Sequence, residues 1–167
     1  PSRTLAALER EAPGAAALIV EPLLLGAGGM LMYGAETLRA MKAICERHGT
    51  LFIADEVLTG FGRTGTLFAC EQAGIAPDLL CLAKGLTGGA LPLAATLATQ
   101  AIFDAHCSAD RRKTFFHSSS YTANPIACAA AMANRARWRD EPVRGRIAAL
   151  SALQEERLAP LRADSRF

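Results

Sequence analysis

Leu51-Phe52-Ile53-Ala54-Asp55-Glu56 is the stretch whose reading decides the fold: four apolar residues without a polar break, closed by two carboxylates. A run that short, apolar throughout, suits a strand covered on both faces, as in a parallel sheet. The pattern recurs on both sides. Upstream, Ala16-Ala17-Leu18-Ile19-Val20 is stopped by Glu21-Pro22, and downstream Leu79-Leu80-Cys81-Leu82 leads to Lys84-Gly85. Between the first two runs, Leu38, Met41, Ile44 and Cys45 recur at helical spacing, and Gly49 suits the position after a helix end. Residues 24–34, with Gly26, Gly28, Gly29 and Gly34, are expected to be a loop, residues 67–73 a short helix, and residues 91–97 a further apolar element. A short helix is expected from Ser2 to near Pro13-Gly14. Asn124 caps another, with Pro125 at its first position, running to about Trp138, and residues 143–161 form one more. Short apolar strands alternating with helices predict an α/β fold: a mainly parallel sheet with helices on both faces.

The composition agrees. With 167 residues, 51% hydrophobic and 20% charged, the chain can bury one sizeable core and is not disordered. A net charge of +2 gives no electrostatic footprint for nucleic acid or an acidic membrane surface. No apolar run approaches the ~20 residues of a membrane span. The five Cys are widely spaced, with no CxxC pair, and read as small buried hydrophobes of a reducing cytoplasm. No His or Cys spacing matches a metal site, so none is expected. The chain opens Pro1-Ser2-Arg3, without an initiator Met or a signal peptide, and is expected to be an internal piece of a longer protein.

In parallel sheets, ligands bind beyond the carboxyl ends of the strands. Those ends carry Glu21, Asp55 and Lys84. Lys84 follows an apolar strand, so its stem is expected to start in dry surroundings. Desolvation favours the neutral amine, and a neutral amine is what Schiff-base chemistry requires. The alternative is a lysine that reaches out to water. Asp55 needs a partner, which a protonated pyridine nitrogen could be, as could a helix end or Arg63. His117-Ser118-Ser119-Ser120-Tyr121-Thr122 sets hydroxyls just before a helix N-terminus, which suits a phosphate and equally an ordinary polar loop. Gly60-Phe61-Gly62-Arg63-Thr64-Gly65 matches G-x-G-x-x-G. However, Asp55-Glu56 lies between it and its strand, and no ribose-binding acid follows, which disfavours a dinucleotide site. Trp138, with Arg135, Arg137 and Arg139, reads as a solvated helix face.

Taken together, residues 52–65, Pro77-Asp78, Lys84-Gly85, Gly88-Gly89 and Asn124-Pro125, with Glu21-Pro22 and Gly28-Gly29-Met30 upstream, resemble the class III pyridoxal-phosphate-dependent aminotransferases. The resemblance implies the large domain of a fold-type I transferase, with residues 1–140 in the cofactor-binding domain and residues 141–167 a helix leading toward a smaller domain. It implies pyridoxal 5'-phosphate as cofactor and Lys84 as the catalytic lysine that holds it. Asp55 would pair with its ring nitrogen, Val57 would pack on a ring face, and Ser119 and Ser120 would contact the phosphate. Ser118, where the family commonly has Gly, would approach substrate. The partners it implies are a small-molecule amino donor, a keto acceptor and a second copy of the chain in a homodimer, in which Ser119 and Ser120 reach the partner's cofactor. Nucleic acid and membrane are not among them. Within the class, residues 26–30, 67–71, 80–89 and 120–131 resemble the branch that aminates 8-amino-7-oxononanoate from S-adenosylmethionine in biotin biosynthesis. Donors such as lysine, ornithine, acetylornithine or γ-aminobutyrate, or a non-catalytic module, remain as alternatives. A Ser-Gly phosphate turn, a stacking aromatic ring and a late substrate-binding Arg have no counterpart in these residues.

Overall fold

The computed structural model describes residues 2–117 and 119–164. Four strands form the main sheet: β1 (Ala17–Val20), β4 (Leu51–Asp55), β5 (Leu79–Leu82) and β6 (Ala95–Ala98), in the order β1-β4-β5-β6. The first three are parallel and β6 is antiparallel to β5. This is the expected mixed α/β fold, a mostly parallel sheet flanked by helices.

The crossovers explain where the core sits. β1 reaches β4 through α2 (Ala35–His48), and β4 reaches β5 through a long connection containing α3 (Cys70–Ala73). Both steps run in the same direction across the sheet, and crossovers are right-handed, so both helices fall on one face. Leu38, Met41 and Cys45 of α2 and Cys70 and Ala73 of α3 meet Phe52 and Ala54 of β4 in one buried cluster. Leu38 and Phe52 are fully buried, each contributing about 1.5–3 kcal/mol relative to exposure. α1 (Ser2–Glu11) adds Leu5 and Leu8 to its edge. On the opposite face of the sheet Ala17, Ile19 and Leu51 are exposed. Asp55 lies on that face too, because side chains alternate along β4.

α2 ends as expected, with Gly49 at φ +68 and its amide bonded back to Cys45 and Glu46. Its buried face also carries Lys42, whose Nζ lies 3.0 Å from Asp78 and 3.5 Å from Glu46.

Four expectations change. Residues 24–34 are not loop throughout: β2 (Leu24–Leu25) and β3 (Leu31–Met32) pair antiparallel around the glycines. The element expected at 91–97 begins only at Ala95, because the Thr87 hydroxyl takes both the carbonyl and the amide of Leu91, and Pro92 has no amide to donate. The helix expected over 67–73 begins at Cys70. α4 (Gln100–His106) has no signal in the sequence reading. α5 (Pro125–Asp140) is capped by Asn124, whose Oδ1 accepts from the Ile126 and Ala127 amides at 3.0 and 3.2 Å. α6 (Val143–Arg162) has no buried residue, and Leu150 and Leu161 are exposed. Arg135, Arg137 and Arg139 are solvated as expected. Trp138 is instead half-buried, its ring reaching toward Gly62, where a Cβ would meet it at 3.2 Å.

Candidate active site

The carboxyl ends of β4 and β5 build the site. Asp55 closes β4 opposite Cys81, and the Glu56 amide extends the ladder one residue further, to the Cys81 carbonyl at 3.0 Å. The Asp55 Oδ1 accepts the Val57 amide at 3.0 Å, which turns the chain and directs Val57 forward. Its Oδ2 takes no hydrogen bond among the described residues. Arg63 forms no ion pair with it, so that alternative falls away.

Glu56, beside it, is fully buried. Its Oε2 accepts from the Thr59 hydroxyl (2.8 Å) and the Ala69 amide (2.9 Å), and its Oε1 from the Cys70 amide (2.9 Å). One carboxylate thereby ties the start of the glycine-rich loop to the far end of that connection. Burial, reinforced by this carboxylate, pushes the Cys70 thiol up to about 12. Burial also raises the Cys45 thiol. Thiol alkylation of the folded protein is therefore expected to label the exposed Cys107 first and Cys45 and Cys70 last. Comparable rates at Cys70 and Cys107, read by mass spectrometry, would contradict the packing.

β5 leads into a 3-10 turn, Lys84–Thr87. Lys84 itself adopts φ +41, rare for a residue with a Cβ and a form of strain that clusters at functional sites. Phe61, at φ +57, packs on the next residue so tightly that a Cβ on Gly85 would lie 2.6 Å from its own. The dry surroundings expected for Lys84 are not found in this chain. The residue is exposed, on the wall shared by two cavities, because the turn lifts it off the end of the sheet.

The larger cavity, of about 770 Å³, is lined by Val57, Lys84, Ser119, Tyr121 and Thr122 among others. It falls within the usual size of small-molecule sites. Three of the expected residues (Val57, Lys84 and Ser119) therefore meet in one cavity. Asp55 and Ser120 do not line it: Asp55 is half-buried and bonded to the Val57 amide, and Ser120 is exposed in the adjoining turn. Ser118 lies outside the described residues. Glu21 is a loop-folding residue here. Its Oε2 accepts the Gly26 amide at 3.0 Å, and its carbonyl accepts the Tyr33 hydroxyl at 2.7 Å. The smaller cavity, of about 560 Å³, lies between the glycine-rich loop and α6.

The donor set suits a phosphate-bearing pyridine aldehyde. There is an exposed primary amine, a carboxylate with one free oxygen at the end of the neighbouring strand, and hydroxyls from the loop ahead of the Asn124-capped helix.

The model of one family, described as aminotransferase class III, matches residues 2–167. The chain belongs to the class III aminotransferases. Among class III relatives, the adenosylmethionine-8-amino-7-oxononanoate aminotransferase of Synechococcus elongatus is 58% identical over 119 residues, which is 71% of this chain and 28% of that protein. The enzyme of the same name from Nitratidesulfovibrio vulgaris is 52% identical over 151 residues, 87% of this chain and 27% of that protein. A solved amine transaminase from an uncultivated Pseudomonas species, in a PLP-bound form, superposes with a TM-score of 0.86 at 40% identity, covering 97% of this chain and 38% of that one. The chain thus spans between about a quarter and two fifths of the length of these class III proteins.

Three structural members of the site carry no signal in the sequence: Glu56, Thr87 and Asn134, whose side-chain amide donates to the Gly85 and Leu86 carbonyls. Glu56 was visible only as half of an acidic doublet, since the two amides it holds lie 13 and 14 residues further on.

Proposed function

We propose that this chain carries the lysine-bearing part of a transaminase site that uses pyridoxal 5'-phosphate to move an amino group from S-adenosylmethionine to 8-amino-7-oxononanoate, giving 7,8-diaminononanoate in biotin biosynthesis. The observation that carries the proposal is the meeting of Lys84 and Val57 in one cavity at the carboxyl ends of parallel strands, with the Val57 amide bonded to Asp55. The names of the two relatives support the choice of substrates.

Bound pyridoxal phosphate supplies an electron-accepting ring and an aldehyde carbon to which amines attach. The protein's residues do the rest. The free Oδ2 of Asp55 would accept the N–H of a protonated ring nitrogen, while its Oδ1 stays bound to Val57 and fixes the carboxylate's angle. Val57 presents a branched apolar surface at the cavity wall. Ser119, with Ser120 beside it, offers hydroxyl donors to phosphate, and we assign these two to the site of a second copy in a homodimer. The exposure of Tyr121 and Ile126 next to them fits such a contact. In one half of the reaction the Lys84 amine would take a proton from the amine-bearing carbon of the donor, and in the other half it would deliver one to the ketone-bearing carbon of the acceptor. Residues 1–140 belong in this reading to the cofactor domain, and residues 141–167 lead toward a smaller one. A cytoplasmic location fits a biosynthetic enzyme; no helix among the described residues is long and apolar enough to cross a membrane.

A second reading is favoured by the amine transaminase likeness: the same chemistry with another amine donor. A donor screen on the full polypeptide, comparing adenosylmethionine with lysine, ornithine and simple amines, separates the two. For the shared chemistry, borohydride treatment with pyridoxal phosphate is expected to fix cofactor mass on Lys84, and Lys84→Ala to lose it completely. Retention of that mass in Lys84→Ala would overturn the assignment.

A further inference from the structure

The turn that carries Lys84 is held from two sides. On one side stands Phe61, packed against Gly85. On the other is Asn134 of α5, whose Nδ2 donates to the Gly85 carbonyl at 2.8 Å and to the Leu86 carbonyl at 3.2 Å. These bonds reach across 49 and 48 residues of sequence. They fall on the two residues that follow Lys84, where the backbone has just passed through its strained conformation. Within the turn, the Leu86 amide bonds to the Ala83 carbonyl at 2.9 Å and the Gly88 amide to the Gly85 carbonyl at 3.0 Å. The Gly85 carbonyl thus serves both the turn and the clamp.

The same helix holds the other wall of the cavity. Asn124 caps the N-terminus of α5, and residues 119–123, immediately before it, include the cavity's hydroxyls. From Pro125 to Asn134 the helix rises about 13 Å without an interruption. Hydroxyl loop and lysine turn are therefore both referenced to one rigid rod.

We propose that Asn134 is a positioning residue for Lys84: its amide fixes the Lys84–Thr87 turn to α5, and so sets where the lysine amine stands on the cavity wall. The role rests on the reading of Lys84 as the reacting amine. A side chain that only filled space would not need two donors aimed at consecutive carbonyls. An aspartate there would place an acceptor against two acceptors.

The test uses two nearly isosteric variants in the full polypeptide, Asn134→Asp and Asn134→Leu. Amide hydrogen exchange, measured without cofactor, is expected to quicken about tenfold at Leu86 and Gly88 in both, with little change at Leu38 or Phe52 in the core. With cofactor, kcat is expected to fall about tenfold with KM for the amine within about twofold, as misplacement of a reacting group predicts. Exchange and kcat like those of the parent protein in Asn134→Leu would mean that packing suffices, and would overturn the proposal. If the parent protein itself fixes no cofactor on Lys84, the functional reading fails. The exchange comparison still decides whether Asn134 clamps the turn.

Discussion

Replacing Glu56 with alanine is expected to destabilise the fold by about 3–5 kcal/mol, a large value for one side chain. The carboxylate is fully buried and accepts three hydrogen bonds, two of them from backbone amides. Removing it leaves the Ala69 and Cys70 amides and the Thr59 hydroxyl without partners in a site that water does not reach, and leaves a void where the side chain stood. Glutamine should recover only part of the loss. With its carbonyl in the place of Oε2, the Thr59 and Ala69 bonds survive, but its amide then faces the Cys70 amide, donor against donor. A residual cost of about 2 kcal/mol is expected. Denaturant unfolding of the polypeptide that carries these residues measures both. Equal stability of Glu56→Gln and the parent protein would mean that the Cys70 amide does not depend on this side chain. Because Glu56 ties Thr59 to Ala69 and Cys70, the loss should also loosen the Phe61 side of the Lys84 turn, visible as faster exchange at Gly60 and Gly62, whose amides bond to Glu56 and Leu67 carbonyls.

What the sequence discloses and what it hides follows from the range of the interactions. The parallel strands are legible because an apolar run is a local signal, and the charged residues that close those runs are local too: Asp55 and Lys84 stand where they were expected. The Asn124 cap and the Gly49 end are one-turn events and are equally plain. The β2–β3 pair was hidden by the glycines around which it folds. The late start of β6 depends on a hydroxyl, that of Thr87, four residues before the leucine it occupies. Glu56 and Asn134 read as an ordinary acid and an ordinary helical amide, because what defines them lies 13 to 49 residues away. The exposure of Lys84 could not be decided locally either: the strand end allows a dry stem or a lysine that reaches water, and the positive φ of the turn shows the side chain leaving the sheet. Composition gave no electrostatic footprint for nucleic acid and pointed away from disorder. It could not say that Ser119 and Val57, 62 positions apart, share a wall with the lysine.

Asp78 is the other residue whose loss should be felt across the whole fold. It joins α2 to the sheet. Its Oδ2 accepts the Phe52 amide at 2.7 Å and the Lys42 ammonium at 3.0 Å. Its own amide donates to the Phe52 carbonyl at 2.9 Å, and its carbonyl accepts from Thr99 at 3.1 Å. Side chain and backbone together thus set β5 beside β4 and start the chain after β6. The Lys42 side chain is only 11% exposed, and its other carboxylate, Glu46, lies 3.5 Å away and is mostly in water. Asp78→Ala therefore strands a nearly buried ammonium and a buried backbone donor at once, and about 3–4 kcal/mol of destabilisation is expected. Most of that is the penalty of the orphaned charge rather than the worth of the pair, which a second substitution can separate. In Asp78→Ala combined with Lys42→Met the charge is gone and its apolar stem is kept, so the double variant should be more stable than Asp78→Ala alone by about 1–2 kcal/mol. Simple additivity of the two losses in urea unfolding would mean that Lys42 finds water or Glu46 once Asp78 is removed. In that case the cost of Asp78→Ala would rest on the Phe52 amide alone and should fall to the range of about 1–2 kcal/mol for a single unsatisfied backbone donor.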